Sequence, residues 1–185
     1  MIAKNNELTI RREVVESDLE TVRSIIDSSG FFRKDEVEVA VELAGEALAK
    51  GDASGYHFIF AEIDGQTLGF ACFGPIPCTL GSYDLYWIAV HQDSRGKGIG
   101  QKLLKETEAS VKQMNGRKIY IETSTMEKYE PTRGFYLSAG YEEAARFSDF
   151  YDVGDGKVVL VKNIEDQELG VNILKHKSLP ANRLG

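Results

Sequence analysis

Between Val90 and Gln101 the chain reads His-Gln-Asp-Ser-Arg-Gly-Lys-Gly-Ile-Gly, so that Gly96, Gly98 and Gly100 alternate with Arg95, Lys97 and Ile99. Glycines at these positions remove the side chains that would keep backbone N–H groups away from an anion. A helix that begins at once afterwards adds unpaired N–H donors and the positive end of its dipole. Arg95 and Lys97 supply full charges. The combination suits a pyrophosphate. Two nucleotide fingerprints fail on it: the dinucleotide loop needs a later glycine where Gln101 stands, and the Walker loop needs Ser or Thr after Gly-Lys, where Gly98 follows. A glycine-rich turn without a ligand is the alternative.

Other chemistry is sparse. His57, His91 and His176 are scattered, and Cys72 and Cys78 are too few for a disulfide framework or a zinc cluster, so no metal is expected. The net charge of −7 argues against nucleic acid as a partner. Its distribution is uneven, because residues 95–118 sum to +5 and the remainder to −12. A basic patch on an acidic chain fits one bound anion, with a field elsewhere that draws a cationic substrate. A solvated, lysine-rich helix face is the other reading. No stretch approaches the roughly 18 apolar residues of a membrane helix, and the N-terminus lacks the apolar run of a signal peptide. A cytoplasmic protein without a membrane partner is expected.

Elements must position the loop. Leu8–Val14 alternates as a strand, and Ser17-Asp18-Leu19-Glu20 is a capping-box pattern opening a helix to about Asp27. A second helix starts near Asp35-Glu36, with Val39, Leu43, Ala47 and Leu48 on one face. Tyr56–Ile63 and Thr67–Phe73 form a hairpin about Asp64-Gly65. Tyr83–Val90 is apolar on both faces and therefore central. After the loop, Ile99, Leu103, Thr107, Val111 and Met114 recur at helical spacing up to Asn115-Gly116. Lys118–Thr123 is a strand, Pro131 opens a helix through Phe135 to Gly140, and two last strands follow, from Tyr141 and over Lys157–Val161. The segment Phe147–Tyr151 is placed between them. Strand–helix–strand from Tyr83 to Thr123 requires a parallel pair, whereas the hairpin requires antiparallel pairing, so the sheet is mixed.

The loop resembles the Arg/Gln-x-x-Gly-x-Gly/Ala signature of the GNAT superfamily of acetyl-CoA-dependent N-acetyltransferases, with Arg95, Gly98 and Gly100 in place. Phe135-Tyr136-Leu137-Ser138-Ala139-Gly140-Tyr141 is similar to that family's Phe-Tyr-x-x-x-Gly-Phe, with Tyr141 in the last position. The likeness covers residues 8–162. It implies an α/β (α+β) three-layer fold, a mixed sheet of about seven strands with a splayed parallel pair, and helices on both faces. Residues 1–163 would form one domain and 164–185 a C-terminal extension.

The resemblance further implies direct acetyl transfer from acetyl-CoA to a primary amine, without a metal. Ile88, Ala89 and Val90 would lend backbone to the cofactor, the Ile88 N–H serving as oxyanion donor. Arg95, Gly96, Lys97, Gly98, Ile99, Gly100 and Gln101 would hold its pyrophosphate. Tyr136 matches the family tyrosine that protonates the leaving thiolate, the alternative being a core aromatic beside Phe135. Asp84 stands where some members carry a catalytic glutamate, and strand alternation puts Tyr86 and Ile88 on its face. Glu122 is a rival base. A small amine or amino acid is the expected acceptor, with a protein N-terminus or lysine, or a non-catalytic acyl-CoA-binding module, as the other readings. The resemblance puts the loop after the first helices, here Ser29-Gly30-Phe31-Phe32-Arg33, in the wall of that acceptor site. The aromatic segment at Phe147–Tyr151 lines the site too or closes a homodimer.

Overall fold

The computed structural model describes residues 7–164, so the expected extension lies, from residue 165 on, outside the described residues. β1 (Thr9–Arg11) is followed by α1 (Asp18–Ser29) and α2 (Lys34–Lys50), then by β2 (His57–Ile63), β3 (Gln66–Pro75) and β4 (Ser82–Val90). Next come α3 (Ile99–Gln113), β5 (Lys118–Ser124), α4 (Glu130–Ser138), β6 (Glu142–Asp152) and β7 (Asp155–Asn163). The strands form one mixed sheet in the order β1-β2-β3-β4-β5-β7-β6, in which only β4 and β5 run parallel. This is the three-layer α/β fold that the resemblance implied, with the mixed sheet expected from the element order.

Two apolar layers sandwich the sheet. On one face Ile59, Ala71, Phe73, Leu85, Ile119 and Leu160 pack against Leu103, Leu104 and Val111 of α3 and Tyr136 of α4. On the other, Phe58, Phe60, Phe70 and Cys72 meet Val22, Ile25 and Ile26 of α1 and the alanines of α2. Asp64 and Gly65, both with positive φ (52° and 77°), make the tight β2–β3 turn.

Three local expectations are corrected. Ser17 does not cap α1 with its side chain. Asp18 turns back instead, accepting from the Val15 N–H and, on both oxygens, from Arg11 at 2.8 Å. The buried face of α2 is Val37, Ala40, Ala44 and Ala47, whereas Val39 and Leu48 are exposed. Small side chains let α2 approach α1 and the sheet closely, which turns the larger ones outward. Finally, Phe147–Tyr151 lies within β6 rather than between strands, because the reversal comes at Val153-Gly154.

The Arg11–Asp18 pair is the main ionic element of this half. Asp18 is 2% exposed, and Arg11 also reaches Glu62 at 2.8 Å while covering the Phe60 ring at 4.3 Å. Arg11→Met would strand a buried carboxylate, and the expected loss is about 3–5 kcal/mol of stability, read from urea unfolding.

Candidate active site

A bulge in β4 creates the site. Register against β3 runs Cys72↔Trp87 and then Phe73↔Leu85, so Tyr86 is an extra residue. The faces change there: Tyr83 and Leu85 belong to the α3-side core before the bulge, and Ile88 and Val90 join it afterwards. Trp87 and Ala89 face the α1–α2 layer. Simple alternation, which put Asp84 and Ile88 on one face, is therefore wrong. The bulge reverses it.

Pairing between β4 and β5 is confined to Ser82↔Lys118, Tyr83↔Ile119 and Asp84↔Tyr120. Beyond Asp84 the two strands diverge, while β5 stays paired with β7 as far as Ser124↔Lys157. The His91 N–H donates to the Leu68 carbonyl at 2.8 Å, continuing the β3–β4 ladder. Counting back by twos puts Ala89 and Trp87 in hydrogen-bonded pairs with β3. Ile88 and Val90 consequently direct their N–H and C=O groups into the gap between the splayed strands.

The glycine loop sits at the wide end of that gap. Gly98, with φ 78°, precedes the first residue of α3, and Gly96 has φ 75°. A Cβ added at either would meet nothing within 4 Å. Among the described residues no group accepts from the N–H of Gly96, Lys97, Gly98, Ile99, Gly100 or Gln101. Six unpaired donors around an open cradle fit a pyrophosphate. Arg95 lies over Phe31, 5.5 Å from the ring centre. Lys97 donates to the Asp93 carbonyl at 3.2 Å and stands outside the cavity wall.

Two cavities meet at the splay. One of about 830 Å³ is lined by Ile88, Ala89, Val90, Arg95, Gly96, Gly98, Ile99, Gly100 and Gln101, with Phe135 and Tyr136 opposite. The other, of about 810 Å³, opens on the far side and is walled by Asp84, Tyr86, Glu122, Tyr129 and Tyr151. Ile88 and Tyr136 belong to both linings. Tyr136 is 4% exposed, held edge-on by Phe135 at 5.1 Å and Tyr141 at 5.8 Å. Its hydroxyl has no hydrogen-bond partner among the described residues, and burial pushes its pKa up. Asp84 is half-buried and makes no ion pair or hydrogen bond among the described residues. Burial, and then the nearby Glu122 carboxylate, raise its pKa, against a smaller opposing pull from Lys157. Glu122 is itself tied to Lys157 at 3.0 Å.

Phe31, Phe32 and Arg33, between α1 and α2, line the acceptor cavity as the resemblance implied, and Phe31 and Phe32 line the donor cavity too. Sequence reasoning missed their partners in this roof, Lys128 and Tyr129, which also line both cavities. The Lys128 ammonium donates to the Phe31 carbonyl at 3.0 Å, tying two loops 97 residues apart. A short-range pattern carries no signal for that contact. The β6–β7 turn is fastened to the end of β5 by Ser124, which donates to Asp155, and by Thr125, which accepts from the Gly156 N–H at 2.7 Å. No helix of the described residues is long and apolar enough to cross a membrane.

A mixed sheet opened between its parallel strands, with a glycine-rich helix start at the opening, is the framework of an acyltransferase of the acetyl-CoA type. Residues 54–143 match the family model of the acetyltransferase (GNAT) domain. A solved chain from Desulfovibrio desulfuricans, described as an acetyltransferase of the GNAT family, is 43% identical, covers 86% of this chain and 100% of its own, and superposes with a TM-score of 0.84. The chain belongs to the GNAT family of acetyltransferases. Its fold is shared by the ribosomal-protein-S18-alanine N-acetyltransferase from Escherichia coli, at 19% identity, 86% and 96% coverage and TM-score 0.69. It is shared too by an acetyltransferase-type chain from Salmonella typhimurium solved with its cofactor acetyl-CoA, at 15% identity, 86% and 95% coverage and TM-score 0.68. No curated protein matches by sequence.

Proposed function

We propose that the protein transfers an acetyl group from acetyl-CoA to a small primary amine, by direct attack within a ternary complex. The observation that carries this reading is the meeting of two cavities, of about 830 and 810 Å³, at Tyr136 and Ile88 from opposite sides of the splayed strands. Donor and acceptor can then be bound together, with their reacting ends brought into contact. Bound acetyl-CoA supplies an activated acetyl thioester. The N–H groups of residues 96–101 and Arg95 would hold its pyrophosphate, and the outward-facing backbone of Ile88 and Val90 its pantetheine arm.

The Ile88 N–H is directed to where negative charge develops on the carbonyl oxygen. Tyr136 keeps its proton through the neutral range and gives it to the departing sulfur. Asp84 takes a proton from the incoming ammonium, leaving the amine lone pair free to attack. The working form of Asp84 is the anion, so kcat/KM falls as pH drops through its pKa, which burial and Glu122 lift above the ordinary value.

Asp84→Asn is expected to lower kcat/KM by about 10²-fold and to abolish that acidic limb. Glu122→Gln removes the like charge and should move the limb to lower pH. Thiol release followed from pH 5 upward reads both. An unchanged limb in Asp84→Asn would remove Asp84 from the mechanism.

A further inference from the structure

The acceptor cavity carries more negative charge than one amine needs, and the charge is divided between two places. Asp84 lies at the inner end, on β4 just short of the splay. Asp152 and Asp155 lie on the β6–β7 turn that forms another part of the wall. Among the described residues none of the three has a cationic partner. Asp155 is met only by the Ser124 hydroxyl, and Asp152 by the N–H of Val153. The remaining carboxylates of the wall are already compensated, Glu122 by Lys157 at 3.0 Å and Glu36 by Arg33, whose guanidinium is 3.8 Å away.

The two places lie apart along β5, since Asp84 stands opposite Tyr120 whereas Asp155 accepts from Ser124 at the strand's far end. Tyr151 lines the same wall, its pKa pushed up to about 12 by burial and then by Glu122, Asp155 and Glu36. Tyr86, Tyr129 and Tyr151 give the wall aromatic surface on which an alkylammonium can rest. The unpartnered hydroxyl of Tyr136 enters the same cavity and marks the end at which reaction occurs.

Cations on the wall are outnumbered. Arg33 is held by Asp35 at 3.1 Å as well as by Glu36, which leaves Lys128, bonded to the Phe31 carbonyl and lying 5.1 Å from the Tyr129 ring centre. An amino-acid zwitterion would therefore bring its carboxylate to a wall where Asp84, Asp152 and Asp155 face one lysine. A monoamine would leave the Asp152–Asp155 end unmatched. A cavity of about 810 Å³ has room for a chain linking two nitrogens.

We propose that the acceptor is a small, flexible diamine or polyamine, one nitrogen reacting at Asp84 and a second, still protonated, held by Asp155 and Asp152 against Tyr151. This rests on the acetyl-transfer reading above. The transfer breaks the thioester C–S bond and forms the amide C–N bond. One ammonium proton passes to Asp84, the leaving sulfur takes one from Tyr136, and the second proton shed by the nitrogen as the amide forms restores the Tyr136 phenol.

The test uses the full chain with acetyl-CoA and measures thiol release for linear α,ω-diamines of two to six carbons and for spermidine. Matched n-alkylamines, ω-amino acids and a lysine-containing peptide serve as the other arms. The best diamine should exceed its matched monoamine in kcat/KM by about tenfold or more. That ratio should collapse towards one in Asp155→Asn, and fall in Asp152→Asn, a second variant whose side chain contacts only the turn itself. Monoamines, ω-amino acids or the peptide reacting as well as the diamines would overturn the proposal while leaving acetyl transfer standing. CoA binding with no acetylation of any amine would instead overturn the transfer reading, and this proposal with it.

Discussion

Tyr136→Phe is expected to lower kcat by about 10²–10⁴-fold, with CoA affinity within about twofold of the parent protein. The substitution removes one oxygen and retains the ring, so the edge-on contacts with Phe135 and Tyr141 persist. The hydroxyl has no partner among the described residues, and its loss orphans none of their buried donors or acceptors. Stability should therefore hardly change. A core aromatic in this position would likewise show no change in stability, but none in rate either. Burial raises the phenol pKa well above neutrality, which by itself makes it a reluctant acid. The departing thiolate, however, forms in the same water-poor gap, and desolvation disfavours that anion too. What matters is the balance between two anions in one cavity, and the positioned phenol supplies its proton where the sulfur has lost solvent. An acetyl thioester of a more acidic aryl thiol needs less help, so the defect should shrink with such a donor. A kcat within threefold of the parent, or a defect independent of the leaving group, would reduce Tyr136 to a packing residue.

The parts of this site legible in the sequence are those whose chemistry is local. A loop that must bare its N–H groups needs glycines, and the helix behind it shows its period in Ile99, Leu103 and Val111, all buried as expected. The same holds for Phe135-Tyr136 on α4, where Gly140 with φ 86° returns the chain so that Tyr141 packs on Tyr136. The order of elements was legible because turn residues punctuate them.

What escaped depends on competition between contacts. Ser17 has the right type and spacing for a cap, but Arg11, arriving from β1, draws Asp18 into a buried pair that fixes the turn differently. Val39 reads as core yet is exposed at the acceptor cavity, and Leu43 packs on the core only from that cavity's edge, because alanines occupy the close-packed face of α2. The bulge at Tyr86 has no glycine or proline to announce it, and it reversed the face assigned to Ile88. Functional sites are where local rules give way to tertiary demands.

Gly100→Glu should weaken CoA binding by about 10²–10³-fold in a protein that still folds. Gly100 is the informative position of the three. The nearest atoms to a Cβ there are Phe135 ring atoms, at 3.7 and 3.8 Å, and Val90 at 3.9 Å, all ordinary contacts. Gly96 and Gly98 have positive φ, so any side chain at those positions strains the backbone and confounds loss of binding with loss of structure. Gly100→Ala is the control. It adds a methyl group in the first turn of α3 and should keep the fold, with a modest gain in helix propensity of up to about 1 kcal/mol. Glutamate at the same position sets a carboxylate among the unpaired N–H groups that would receive the pyrophosphate. At about 4 Å, two unit charges near a protein surface repel by roughly 4 kcal/mol, which is nearly three decades in affinity. Part of this is lost to the flexibility of the glutamate side chain, hence the lower bound. Titration calorimetry with CoA, beside thermal unfolding of each variant, separates affinity from stability. Binding by the parent should weaken with added salt, because the pyrophosphate contact is largely electrostatic. Normal CoA binding by a folded Gly100→Glu protein would mean that the cofactor's phosphates lie elsewhere, and the donor cavity would have to be reassigned.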